Sequence, residues 1–97
     1  MFLSYERVDV DTTVKTYAAN ITAPDGDADC AELQADTANI RYTMDNSSNP
    51  SGSLPRGMIL LTTEPPRKFL KEDIVRMRFT CASAAGLNIH WYGRPVS

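Results

Sequence analysis

Apolar and polar residues alternate in short runs along this chain, with the period of two that belongs to extended backbone. The clearest run is Leu87 to Tyr92, where Leu87, Ile89 and Trp91 face one way and Asn88, His90 and Tyr92 the other. Ile74 to Thr80 repeats the pattern, with Val75, Met77 and Phe79 as the apolar set and Arg76 and Arg78 between them. Ile40 to Met44 sets Ile40, Tyr42 and Met44 on one face and Arg41 and Thr43 on the other, and Ala31, Leu33 and Ala35 alternate within Cys30 to Ala35. Phe2 to Val10, Val14 to Ala23, Met58 to Leu61 and Lys68 to Leu70 complete the predicted strands. Val75, Met77, Phe79, Leu87, Ile89 and Trp91 form the expected core. Arg76, Arg78, Asn88, His90 and Tyr92 form the opposite face, a mixture rich in contact-prone side chains.

Turn signals separate these runs. Pro24-Asp25-Gly26-Asp27 supplies one fixed and one permissive dihedral, Asp36 to Asn39 is a short polar turn, and Ala82 to Gly86 turns the chain again. Asp45 to Arg56 is the longest polar stretch and reads as a surface loop. Glu64-Pro65-Pro66 breaks a strand, because consecutive prolines offer no amide hydrogens to a ladder. Ala28 to Asp36 and Lys71 to Met77 contain helix formers, yet their apolar residues alternate and neither is long enough for a solitary helix. The expectation is an all-β protein: a single small β-sandwich, jelly-roll or immunoglobulin-like, of seven or eight short antiparallel strands. Residues 1–97 form one domain in this reading, with 1–23 as an arm or edge-strand region.

Length sharpens the picture. A chain of 97 residues makes one domain that buries only about 60–65% of its extended surface, so partner subunits are a common source of added stability. The net charge is −2, and the densest basic stretch, Arg67 to Arg78, is interrupted by Glu72 and Asp73, which argues against direct nucleic-acid binding. The longest apolar run, Met58 to Leu61, is far too short to span a membrane, and Met1-Phe2-Leu3 lacks the pattern of a signal peptide. Cys30 and Cys81 have no CxxC spacing; free thiols in a reducing compartment are expected over a disulfide across a sheet.

Candidate chemistry is sparse. His90 is the one histidine, and no nucleophile elbow surrounds any serine, so a non-enzymatic role is expected. One histidine and two separated cysteines do not make a zinc site. Asp25, Asp27 and Asp29 alternate around Gly26, but the twelfth position counted from Asp25 is Asp36 rather than the glutamate of a calcium loop, which favours a solvated acidic turn. No cofactor or metal is expected. Arg76, Arg78 and Tyr92 could stack on nucleic acid, and Trp91, Tyr42 and Tyr92 on a sugar, although Trp91 falls in the core register.

From Cys30 to Tyr92 the chain resembles a group of small virion proteins from tailed bacteriophages. The matching residues are Ala38-Asn39-Ile40-Arg41-Tyr42-Thr43-Met44-Asp45, then Pro50, Gly57-Met58-Ile59-Leu60, Val75-Arg76-Met77-Arg78-Phe79 and Leu87-Asn88-Ile89-His90-Trp91-Tyr92. Where the family carries Asp-Gly-Thr-x-Pro-Thr, this chain has Asp45-Asn46-Ser47-Ser48-Asn49-Pro50-Ser51-Gly52-Ser53, in which Asn46 can take the left-handed conformation of the missing glycine. The resemblance implies a β-sandwich subunit in many copies on the particle: a capsid decoration or cement protein, folded in the host cytoplasm, without cofactor, that binds the major capsid or other virion proteins. A place in the tail or at the head–tail junction is the alternative. Contact residues expected on that basis are Asp45, Asn46, Asn49, Pro50 and Arg56 of the polar loop, Pro65, Pro66 and Arg67, and Arg76, Arg78, His90 and Tyr92. Ile40-Arg41-Tyr42-Thr43-Met44-Asp45 is also similar to a strand of the immunoglobulin-like domains appended to bacterial glycosidases, which implies an accessory binding module for a glycan or receptor.

Overall fold

The alternating runs become eight antiparallel strands in a computed structural model that describes residues 2–24, 28–50 and 57–93. In chain order they are β1 (Phe2–Val10), β2 (Lys15–Thr16), β3 (Ala28–Asp36), β4 (Ile40–Thr43), β5 (Met58–Leu60), β6 (Arg67–Leu70), β7 (Arg78–Thr80) and β8 (Ala85–Gly93). They form two four-stranded sheets, ordered β1-β8-β3-β6 and β2-β7-β4-β5. The protein is a small all-β domain. Its pairings are nested: β1 with β8, β2 with β7, β3 with β6 and β4 with β5. Every connection except β4–β5 passes from one sheet to the other.

Burial follows the pleat. In β8, Leu87, Ile89 and Trp91 are fully buried, and Asn88, His90 and Tyr92 lie on the other face. In β3, Ala31, Leu33 and Ala35 point the same way and meet Ile40, Tyr42, Leu60, Met77 and Phe79 in one cluster fed by both sheets. Each of the larger aliphatic side chains and Phe79 contributes on the order of 1.5–3 kcal/mol by leaving water. The Trp91 indole N–H donates to Glu6 Oε1 at 2.8 Å, and Glu6 Oε2 accepts the Thr22 amide at 2.8 Å. One carboxylate thus satisfies a core tryptophan and the chain entering β3 together.

Two expected strands are shorter than their periodicity implied. Val14 to Ala23 pairs only at Lys15 and Thr16, then makes the single helical turn α1 (Tyr17–Asn20). Thr16 caps that turn by accepting the Ala19 amide at 3.3 Å, and Asn20 returns a bond to the Thr16 amide at 2.9 Å, so local capping outcompetes extended pairing. Ile74 to Thr80 is strand only from Arg78; Lys71–Ile74 forms the turn α2 with Glu72 and Asp73 in its first turn. Ile74 and Met77 are buried, but Val75 is exposed, which removes it from the expected core. Met44 lies past the end of β4 and is exposed as well, unlike Ile40 and Tyr42.

Cys30 and Cys81 are buried free thiols. Cys30 sits opposite Tyr92, whereas the Cys81 amide binds the carbonyl of Asp11, beside the Val10–Ala85 pair. The length of β8 separates these points by roughly 20 Å, far beyond the reach of a disulfide.

Candidate contact surface

Side chains on the outer face of the β1-β8-β3-β6 sheet are brought together from opposite ends of the chain. A bulge between Phe2 and Ser4 returns Phe2 to the face that carries Tyr5, because Phe2 pairs with Tyr92 and Tyr5 with His90. Their rings meet edge to face: Phe2 with His90 at 5.5 Å, Phe2 with Tyr92 at 5.9 Å, and Tyr5 with His90 at 5.3 Å. Phe2 and Tyr5 are each 52% exposed, a large apolar area to leave in water. Tyr92 hydrogen-bonds Glu32, which raises its phenol pKa by stabilising the protonated form. A small cleft of about 30 Å³ lies between His90, Asn88, Glu32, Gln34 and Pro66.

Beside the rings runs a polar network. Arg7 on β1 reaches across β8 to Asp36 on β3, donating from Nε at 3.3 Å and from Nη2 at 3.1 Å. It can do so because Gly86 lies between: a β-carbon there would overlap the guanidinium. Asp36 also accepts the Gly86 amide at 3.0 Å, Asn88 Nδ2 at 2.8 Å and the Thr37 hydroxyl at 3.1 Å. These donors, Arg7 first and Asn88 next, hold its carboxyl pKa down at about 2. Tyr5 extends the chain of bonds by donating to Asn88 Oδ1 at 2.6 Å, and Arg7 Nη1 contacts Asp9 at 2.5 Å. The paired Asp36 raises the Arg7 pKa in return. Asp11 is engaged separately, by the Thr13 amide at 2.8 Å and by Lys15 at 3.6 Å, and its pKa is lowered, chiefly by the amide.

The sequence-derived contact residues divide among several places. His90 and Tyr92 lie in the aromatic group just described. Arg78 belongs to the second sheet and Arg76 precedes it, so the two arginines do not share a face with His90. Arg78 instead ties down the polar loop, donating to Asn49 Oδ1 at 2.6 Å and to the Asn46 carbonyl at 3.0 Å, while the Asn46 amide donates to the Arg76 carbonyl at 3.0 Å. Asn46 has φ of 60°, the left-handed conformation expected of it. Asp45 accepts the amides of Ser47 and Ser48 and the Ser48 hydroxyl, which hold its pKa well below the usual carboxylate range. Pro50 is buried, near Gly57. Pro65 and Pro66 are exposed, and Arg67 forks onto Glu64 at 3.1 and 3.2 Å while donating to the Tyr42 hydroxyl at 3.2 Å. Arg56, and Asp25 and Asp27 of the acidic turn, lie outside the described residues. Of the three aromatics considered for sugar stacking, Trp91 and Tyr42 are buried, which removes the platform a glycan-binding module requires, and Tyr92 is half-buried.

Phe2, Tyr5, Arg7, Asp9, Glu32 and Asp36 are the surface residues that sequence reasoning did not single out. The available signal was the alternation Tyr5, Arg7, Asp9 in the first strand, which sets an aromatic ring and two opposite charges on one exposed face. No family model, curated protein or solved structure matches the chain.

Proposed function

We propose that this chain is a non-enzymatic, multi-copy subunit of a tailed-bacteriophage particle, a capsid decoration or cement protein that docks on neighbouring virion proteins through the outer face of its first sheet. The observation that carries the reading is the aromatic group of exposed Phe2, Tyr5 and His90 and half-buried Tyr92 beside the Arg7–Asp36 network. Aromatic rings bordered by fixed polar groups are the usual composition of a protein contact centre, and repetition on a particle lets modest patches bind through avidity.

Two further features support it. The nested pairing from β1–β8 to β4–β5 is what a long hairpin rolled into two sheets, as in a jelly roll, would give. That favours a jelly-roll sandwich over the immunoglobulin order, and jelly rolls recur in viral capsids as well as in lectins and cupins. The order of motifs from Ala38 to Tyr92 supports the phage origin, and free thiols suit folding in a reducing host cytoplasm. Fold alone assigns no partner, so the surface has to be tested directly.

Purified protein mixed with particles that lack it is expected to bind saturably. The Tyr5→Ala/His90→Ala variant is expected to melt close to the wild type but to lose that binding. Absence of saturable binding by the wild type refutes the proposal, and a particle reconstruction separates capsid from tail or head–tail junction.

A further inference from the structure

Among the described residues β1 has one neighbour, β8, so its other side is the edge of the first sheet. It is nine residues long, against two, three and four for the remaining edge strands β2, β5 and β6. Val8 and Val10 are buried whereas Arg7 and Asp9 are exposed. Gly86, the partner of Asp9 on β8, directs its amide to Asp36 on β3, so the Asp9–Gly86 pair is not hydrogen-bonded; the backbone groups of Asp9 and Arg7 turn outward, and those of the valines turn toward β8. Among the described residues, no backbone hydrogen bond outside the β8 ladder engages Arg7 or Asp9. An open edge of this length is a template for another strand.

We propose that β1 pairs antiparallel with β1 of a second copy, Val8 opposite Val8, fusing two four-stranded sheets into one continuous sheet. In this register Arg7 stands opposite Asp9 of the second copy, and Asp9 opposite its Arg7. The outward backbone groups of both residues then meet in hydrogen-bonded pairs, and both ion pairs fall on the outer face. Charge selects the register. Centring the pair on Glu6, Arg7 or Asp9 would set that residue's charge against itself, and a shift by one residue would turn the valines out to solvent.

The present contacts leave the required groups free to make this exchange. Arg7 holds Asp36 through Nε and Nη2, while Nη1 carries only Asp9 among the described residues, and the Asp9 side chain is 89% exposed. Nη1 can pass to Asp9 of the second copy without disturbing Asp36. The same register brings Tyr5 of the second copy opposite Asp11, at the rim of a groove of about 220 Å³ lined by Val10, Thr37, Ala84 and Ala85. Self-pairing concerns the isolated protein and does not depend on the virion reading.

Sedimentation analysis of the wild type is expected to show reversible association to twice 10.7 kDa as concentration rises. Asp9→Arg opposes cations and Arg7→Asp opposes anions, and each alone is expected to weaken association at least about tenfold. An equimolar mixture of D9R and R7D restores both opposite-charge pairs and is expected to recover wild-type affinity as a heterodimer. Amide exchange in the wild type, which needs no substitution, is expected to slow at Arg7 and Asp9 with rising concentration. The proposal is overturned by a wild type that stays monomeric with unchanged exchange, by variants that associate as strongly as the wild type, or by folded variants whose mixture restores nothing.

Discussion

Replacing Asp36 with asparagine removes one charge at the centre of the outer-face network while keeping its shape. A carboxyl that titrates at about 2 in the folded chain and near 3.8 when unfolded gains at most about 2.4 kcal/mol on folding. Its side chain is 37% exposed, so solvent screening reduces that figure to about 1 kcal/mol. The amide adds a second penalty, because its N–H₂ must face one of the donors Arg7, Asn88 or the Gly86 amide; that is worth up to about 1 kcal/mol. At neutral pH, Asp36→Asn is therefore expected to cost about 1–2 kcal/mol, lowering the melting temperature by about 5–10 °C for a domain of this size. The sign with pH follows from the depressed pKa. Stability owed to the ionised carboxylate is complete above 3.8 and is lost as pH falls through about 2. Paired urea titrations of wild type and D36N across that interval should show the gap narrowing as acid is added. A gap that stays constant or widens down to pH 2 would refute the linkage argument.

Three further outcomes follow from named contacts. Glu6→Ala strands the buried indole N–H of Trp91 and the Thr22 amide, and is expected to cost about 1–3 kcal/mol in chemical unfolding; Glu6→Gln should recover part of this, since it keeps one acceptor oxygen. Gly86→Ala should displace the Arg7 guanidinium from Asp36 without breaking the β8 ladder, seen by NMR as a rise in the Asp36 pKa from about 2 toward its ordinary value. Asn46→Gly should be nearly neutral, whereas Asn46→Val should destabilise by about 1 kcal/mol or more in thermal melts, because a β-branched residue resists φ of 60°.

What could be read from the sequence was whatever depends on near neighbours along it. Alternation identified Leu87, Ile89 and Trp91 of β8 and Ala31, Leu33 and Ala35 of β3 as buried, and the Asp45-Asn46 turn announced its left-handed residue. Period-two patterns misled after Thr16, where a side-chain cap competed, and from Ile74 to Met77, where the uncapped turn α2 delays the strand to Arg78, because alternation records burial and not ladder pairing. The surface was harder. Arg7 meets Asp36 only because β8 separates β1 from β3 and places Gly86 in the gap, an arrangement set by pairing between distant strands. Arg78 shows the same limit: its alternation next to core residues gave no sign that it holds its own loop at Asn46 and Asn49.

The nested pairing also sets an order of events during synthesis. β8 is the last of the eight strands to leave the ribosome, yet it is the one that joins β1 to β3. At typical elongation rates of about 5–20 residues per second, β1 waits roughly 4–15 s for its partner to be made. Throughout that interval the alternating segment Phe2–Val10 has no ladder to enter, and its apolar face is open to other nascent chains. Closure then requires residues from opposite ends of the chain to meet, the slowest class of contact for a small domain. The first sheet can thus close only once β8 has been made, and whatever shields Phe2–Val10 until then favours correct folding.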